Sequence, residues 1–273
     1  MDRVKDFKVL LVGDGIIDEY VYVKPLGKSI KDVAISARFE KREAFQGGVW
    51  AAAKHASNFC SVDILAGRQV MRNTRYIEEA YVRKMFTLHQ LEDREVHEDE
   101  GHRIRDYDCV IVTDFGHGTM TKEMIQRVSK EARFLAVNAQ TNTTNYGFNL
   151  ITKYPRADLV VVDELEARLA AHDRESDIED VILALGFKNI IVTMGYNGAV
   201  GFDGAFHRVK GTTKDAVDTM GAGDAFLAVA APFAAARFSM RDVVRIGNAA
   251  GAAKIGIVGH RSSVTREALL AHL

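Results

Sequence analysis

Residues 216–236 read AVDTMGAGDAFLAVAAPFAAA. Gly221, Ala222 and Gly223 stand directly before a long run of small and apolar residues with helical character. A glycine-rich turn that opens a helix presents unpaired N–H groups and the positive end of the helix dipole, which together make an anion site. Glycine lets an anion approach the backbone with no side chain in the way. Asp224 falls in the first turn, beside the place an anion would take. A bound phosphate raises the proton affinity of such a carboxylate. A base next to a phosphate cradle is the pair that phosphoryl transfer to a hydroxyl requires. GAGD alone also fits an ordinary tight turn with a helix-start carboxylate; the whole segment is what makes the reading specific.

Upstream of this segment, apolar runs alternate with helical patterns. Strands are expected at 8–13, 61–66, 108–113, 133–138, 157–162 and 188–193. Helices are expected at 48–58, 121–131, 163–172, 176–185, 221–237, 241–257 and 265–272. Short apolar runs suit strands buried on both faces. Their β-then-α order predicts the α/β class, a doubly wound and mostly parallel sheet flanked by helices, with ligands at the carboxyl ends of the strands. Residues 19–45 and 73–91 break the alternation with charged, extended patterns and are expected to form a small β-sheet lid within a single domain over 1–273. Residues 198–210 read as a hairpin turning at Asp203-Gly204.

Composition narrows the class. The 273 residues are 47% hydrophobic, enough for one large core. With 36 basic and 37 acidic residues the net charge is −1, which asks for neither nucleic acid nor a membrane surface. No stretch approaches a transmembrane span and the N-terminus lacks a signal-peptide core, so a cytoplasmic protein is expected. Cys60 and Cys109, both in apolar surroundings, read as buried free thiols.

The first strand ends in LLVGDGIIDEY, residues 10–20. Gly13 and Gly15 suggest a dinucleotide fingerprint, but Asp18 stands where its third glycine belongs. A carboxylate repels a pyrophosphate and grips hydroxyl groups, so Asp18 points to a polyhydroxylated ligand and weakens an oxidoreductase reading. Asp14 is either a second ligand or a turn-stabilising aspartate.

The 216–236 segment resembles the C-terminal signature of the ribokinase-like (phosphofructokinase-B type) carbohydrate kinases. Other stretches are similar to that family in order and spacing: VGDGIID at 12–18, FQGGVWAAAKHAS at 45–57, DELE at 163–166 and VTMGYNG at 192–198. VTDFGHG at 112–118 resembles the DYGKG stretch of the heptose-phosphate kinase branch. The resemblance implies ATP and Mg2+ as cofactors and a sugar or sugar phosphate as substrate. It implies Asp224 as general base and Gly221, Ala222 and Gly223 as the anion hole. Asp18, Gly47, Gly48 and Asn138 are expected on the sugar side. Thr193, Gly195, Gly198, Thr219 and Asn248 are expected around the nucleotide. Glu166 with Asp163 would orient the waters of the metal; the same pair also reads as helix N-terminal acids. A monovalent cation is left open. Relatives pair through their lids, so a homodimer is expected, with Val33, Ile35, Ala37 and Phe39 offering an apolar face. The branch is also found joined to a nucleotidyltransferase, for which these residues carry no motif.

The departures from the pattern gather on the acceptor side. Ala51, Ala52 and Ala53 stand where the family usually has a sugar-binding asparagine, and alanine cannot hydrogen-bond a hydroxyl. His117 replaces the branch lysine and would carry charge only when protonated. Asn138, Ala139, Gln140, Thr141 and Asn142 replace an aspartate-proline-lysine turn, and 66–73 is short for a βα unit. Trp50 either stacks on a ligand or fills core; Arg75, Arg83, Lys84 and Arg103 are candidates for a substrate phosphate. Two readings follow: a sugar kinase, or a ribokinase-fold domain that binds sugar or nucleotide without turnover.

Overall fold

The computed structural model describes residues 2–81, 83–93, 102–211 and 217–273. Its strands are β1 (Lys8–Lys28), β2 (Ile35–Gly48), β3 (Ser61–Glu78), β4 (Arg83–Asp93), β5 (Cys109–Asp114), β6 (Leu135–Ala139), β7 (Leu159–Asp163), β8 (Ile190–Thr193), β9 (Ala199–Phe202) and β10 (Phe206–Val209). They form one sheet in the order β10-β9-β8-β7-β6-β5-β1-β3-β4, with β2 paired to β1. The run from β8 to β3 is parallel, and β9, β10, β2 and β4 add antiparallel pairs. The helices are α1 (Val49–Ala56), α2 (Lys122–Glu131), α3 (Glu164–Ala171), α4 (Ile178–Leu185), α5 (Ala222–Ala235), α6 (Met240–Ile255) and α7 (Arg266–Ala271).

Alternation of side chains along the strands sorts these helices into two layers. Leu10, Val12, Val110 and Val112 face α2, α3 and α4 through Ile125, Val128, Ala167 and Val181. Val9, Leu11, Cys109 and Ile111 face α1, α5 and α6 through Val49, Phe226, Leu227 and Val243. The central strands are buried on both faces, as their near-continuous apolar runs require. Cys60 and Cys109 are buried free thiols, and burial pushes the Cys60 thiol up to about 12. Among the described residues no helix is long and apolar enough to cross a membrane.

The early part of the chain differs from expectation in one respect. The two irregular stretches are continuations of core strands. β1 does not stop at Gly13 but runs on to Lys28, and β3 passes through 66–73 to Glu78 with no intervening helix. Their outer halves stay parallel, with Asp18 level with Asn73 and Val23 with Glu78. With β2 and β4 they make a four-stranded outer sheet beyond the carboxyl ends of the core strands. Charged and polar residues within the outer halves, Asp18 and Glu19 on β1 and Arg72 and Arg75 on β3, hid this continuity. Ile35 and Phe39 on β2 are 74% and 58% exposed, so this apolar face is not packed on the chain's own core.

Candidate active site

The turn before α5 has the geometry its sequence predicts. Gly221 sits at φ 74°, the left-handed region, and caps a helix whose first residues are Ala222 and Gly223. A Cβ at Gly221 would come within 2.8 Å of the His260 ring, so the position excludes side chains on both counts. Two cavities meet at this turn. A helix-side cavity of about 430 Å3 is lined by the ends of β7 and β8 with α5 and α6. A strand-side cavity of about 300 Å3 is lined by the outer halves of β1 and β3, the 115–117 and 140–144 loops and His260. Thr219, Ala222, Gly223 and Gln140 belong to both walls.

Asp224 faces the strand-side cavity and is buried. Burial pushes its carboxyl up to about 6, despite the opposing fields of His260 and Lys254. Its Oδ1 accepts a hydrogen bond of 2.9 Å from Gln140 Nε2, a side chain 84 residues away in sequence. A carboxylate of this kind is ionised at neutral pH yet close enough to it to accept a proton.

Asp18 lies in the same cavity wall and is also buried. Burial raises its pKa, but His260 and the Arg75 guanidinium outweigh that effect and leave it lowered. Arg75 Nη1 bonds Asp18 Oδ1, and His260 Nε2 lies 3.3 Å from Oδ2. Asn73 Nδ2 donates to Asp18 Oδ1 at 3.5 Å, and Asn73 Oδ1 lies 2.7 Å from His89 Nδ1. Asn73 is the amide that β3 brings to the cavity, whereas Ala51 and Ala52 are buried in α1. Gly48 lines this cavity, and Gly47 stands behind it, where a Cβ would run into the Asp18 carboxylate.

The helix-side cavity gathers Thr193, Gly195, Gly198, Asn248, Asp163, Glu166 and Asn138. Gly195 and Gly198 have φ of 53° and 89°, and a Cβ at Gly198 would strike the Val209 carbonyl. Asn248 Nδ2 donates to the carbonyls of Val209 and Lys210 at 3.2 and 3.3 Å, which closes the cavity against β10. Asp163 and Glu166 form a reciprocal cap on α3: Asp163 Oδ1 accepts from Glu166 N at 2.7 Å, and Glu166 Oε2 from Asp163 N at 2.9 Å. Burial and the Asp163 charge push the Glu166 carboxyl up to about 8. Asn138 is in this wall and not the strand-side one; its Oδ1 is buried without a hydrogen-bond partner. Among the described residues no three His, Cys, Asp or Glu side chains gather as a metal shell.

Several singled-out residues lie elsewhere. Asp14 lines neither cavity; its carboxylate accepts the N–H groups of Phe115, His117 and Thr119 at 2.8, 3.2 and 3.0 Å and so shapes the 115–119 loop. Trp50 packs its ring where a Cβ at Gly15 would be and lines neither cavity. Arg83 and Lys84 line a groove on the outer sheet, and Arg103 pairs with Asp106. His117 does line the strand-side cavity, but burial lowers its pKa and disfavours its charged form. Sequence reasoning missed His260, Gln140 in its role beside Asp224, Asn73 and His89. None sits in a local motif, and each reaches the site through long-range packing.

Residues 140–267 match the sequence model of the pfkB family carbohydrate kinases. The bifunctional protein HldE of Hyphomonas neptunium is 28% identical over 174 residues, 60% of this chain and 35% of that protein. HldE of a Nitratiruptor species is 26% identical over 171 residues, 60% of this chain and 36% of that protein. The match thus spans about a third of the length of these curated relatives. Among solved structures, ribokinase from Thermotoga maritima superposes with a TM-score of 0.73 at 16% identity, covering 97% of this chain and 99% of that one. Phosphofructokinase-2 from Escherichia coli in complex with substrates and products gives 0.71 at 16%, covering 98% of both chains. Arabidopsis thaliana ribokinase complexed with ribose and ATP gives 0.68 at 15%, covering 97% and 98%. At these identities the superpositions show the fold. The resemblance read from the sequence holds to this extent: the chain has the ribokinase-like fold, and residues 140–267 match the pfkB family carbohydrate kinase model.

Proposed function

We propose that the chain is a cytoplasmic, ATP-dependent sugar kinase, with a heptose phosphate as the favoured acceptor. The observation that carries this reading is the single glycine turn shared by two cavities, with a buried carboxylate of pKa about 6 beside it. ATP would lie in the helix-side cavity, its terminal phosphate on the N–H groups of Gly221, Ala222 and Gly223. The sugar would lie in the strand-side cavity, its hydroxyls on Asp18, Asn73 and Arg75. Asp224 takes the proton of the attacking hydroxyl, and Gln140 orients the carboxylate for it. Glu166 and the unpartnered Asn138 Oδ1 suit the waters of a Mg2+ that arrives with the nucleotide, where the ion would neutralise charge developing on the phosphoryl oxygens. The heptose preference rests on the VTDFGHG stretch and on the HldE matches. The outer sheet would act as a lid, and its exposed Ile35 and Phe39 would pair two copies of the chain. Association with a nucleotidyltransferase fits the bifunctional relatives.

A non-catalytic sugar- or nucleotide-binding domain is the alternative. It draws on Ala51 and Ala52, and in it Asp224 would only anchor Gln140. One assay separates the two. The protein is incubated with magnesium, terminally labelled ATP and a panel of sugars and sugar phosphates that includes heptose 7-phosphate. Label on one acceptor supports the kinase. ATP binding with no labelled acceptor supports the binding domain, and no ATP binding overturns both nucleotide readings.

A further inference from the structure

Lys254, on α6, is fully buried, which is rare for a lysine. Among the described residues no carboxylate pairs with it within ion-pair distance. Its ammonium donates instead to two backbone carbonyls, Met220 O at 2.8 Å and Ile257 O at 3.3 Å. Met220 immediately precedes the Gly221 turn, and the lysine stem lies 3.5 Å from where a Gly221 Cβ would be. The carbonyl of Ile257 belongs to the 256–259 turn that carries the chain to His260.

A second clamp joins the same two turns. Asp218 Oδ2 accepts the Gly259 N–H at 2.9 Å, and its Oδ1 accepts the Met220 N–H at 3.2 Å. Tyr20 of the outer sheet adds its hydroxyl to Asp218 at 3.2 Å. Lys254 thus gathers carbonyl oxygens of these turns while Asp218 gathers their N–H groups. Burial lowers the lysine's pKa, and Asp218, Asp224 and Asp18 act the other way and favour its charged form.

Converging backbone carbonyls are the ligands that strip and hold a monovalent cation elsewhere in proteins. Here a tethered ammonium already occupies them. We propose that Lys254 is a built-in monovalent cation that holds the phosphate-binding turn in its working geometry, so that this chain needs no added potassium or ammonium ion. Lys254 is a positioning residue: it acts through the Met220–Gly221 turn and lines neither cavity. The inference rests on the kinase reading for its effect on rate, but not for its effect on the turn itself.

The test compares the intact protein, Lys254→Met and Lys254→Ala in potassium, ammonium or tetramethylammonium chloride at equal ionic strength. Methionine nearly conserves volume, so that variant should keep the fold. The wild type should turn over equally in all three salts. Lys254→Met should lose about tenfold or more in kcat with little change in acceptor KM, as expected when a preorganised anion site loosens. Lys254→Ala should regain rate and melting temperature in potassium or ammonium but not in tetramethylammonium. The melting arm needs no catalysis, so it decides the inference even if no acceptor is ever found. A wild type that potassium activates tenfold, a Lys254→Met variant with wild-type kcat, or a Lys254→Ala variant whose melting responds to salt as the wild type does would each overturn it.

Discussion

The two cavities that meet at the Gly221–Gly223 turn are built in opposite ways. The helix-side cavity is rich in glycine, with Gly195, Gly198, Gly211, Gly223 and Gly251, and sets the apolar Val161, Val162, Phe226 and Ile255 among polar groups. The strand-side cavity is a set of charged and polar side chains, Asp18, Asn73, Arg75, His89, His117 and His260, delivered from separate elements. A backbone site recognises what every phosphate shares, whereas a side-chain site recognises one arrangement of hydroxyls and charges. On the proposed reading, change on the strand side would alter the acceptor and leave the transfer machinery in place. Of the departures from the kinase pattern, His117 and Asn142 line the strand side, Gln140 lines both cavities, Asn138 and Thr141 line the helix side, and Ala51, Ala52 and Ala53 line neither.

The sharpest way to break this contrast is to attack the shared wall. Gly221→Val places a β-branched residue at φ 74° and against His260, so the turn must move. Turnover should fall about a hundredfold or more with every acceptor, since the lost N–H alignment serves them all. A loss confined to one acceptor would place the turn on the sugar side. Asp18→Asn sharpens the other half. Acceptor KM should rise roughly tenfold, while ATP affinity stays within about twofold, because a charge-assisted hydrogen bond on one side only is lost. Equal losses for both ligands would mean the cavities are not separable.

The third test is a pH profile. Asp224 must be ionised to accept a proton, and its pKa is pushed up to about 6. kcat/KM should be flat above pH 7 and fall tenfold per unit as pH drops below that value. A profile unchanged down to pH 5 would remove Asp224 from the role of base. The smallest effect is expected from Phe39→Asp on the outer sheet, where the side chain is 58% exposed. Sedimentation should show dimer giving way to monomer, with turnover changed only a fewfold; an unaltered dimer would move the interface elsewhere.

The same contrast explains what the sequence could say. The central strands, α5 and the glycine turn are legible because their signals are local: apolar runs, small-residue helices and a positive-φ glycine. Asp163 and Glu166 are legible too, and the cap they form is the one their spacing implies. The outer halves of β1 and β3 are not legible as extensions of core strands, since pairing with β2 and β4 holds charged residues in strands that propensity alone would end. His260 reads as one histidine in an undistinguished GHRSS stretch, and only the fold sets it 3.3 Å from Asp18. Asp14 shows the converse: it is conspicuous beside two glycines, yet its carboxylate bonds three loop N–H groups 101 to 105 residues away.

The central claim is that phosphoryl transfer crosses the shared turn to a hydroxyl deprotonated by Asp224. It is tested most directly by Asp224→Asn, with turnover and ATP affinity measured on the same preparation. The account predicts a fall in kcat of about a thousandfold with ATP affinity nearly unchanged, because the amide keeps the shape and loses the base. Wild-type turnover in the variant, or loss of ATP binding in place of turnover, would contradict it.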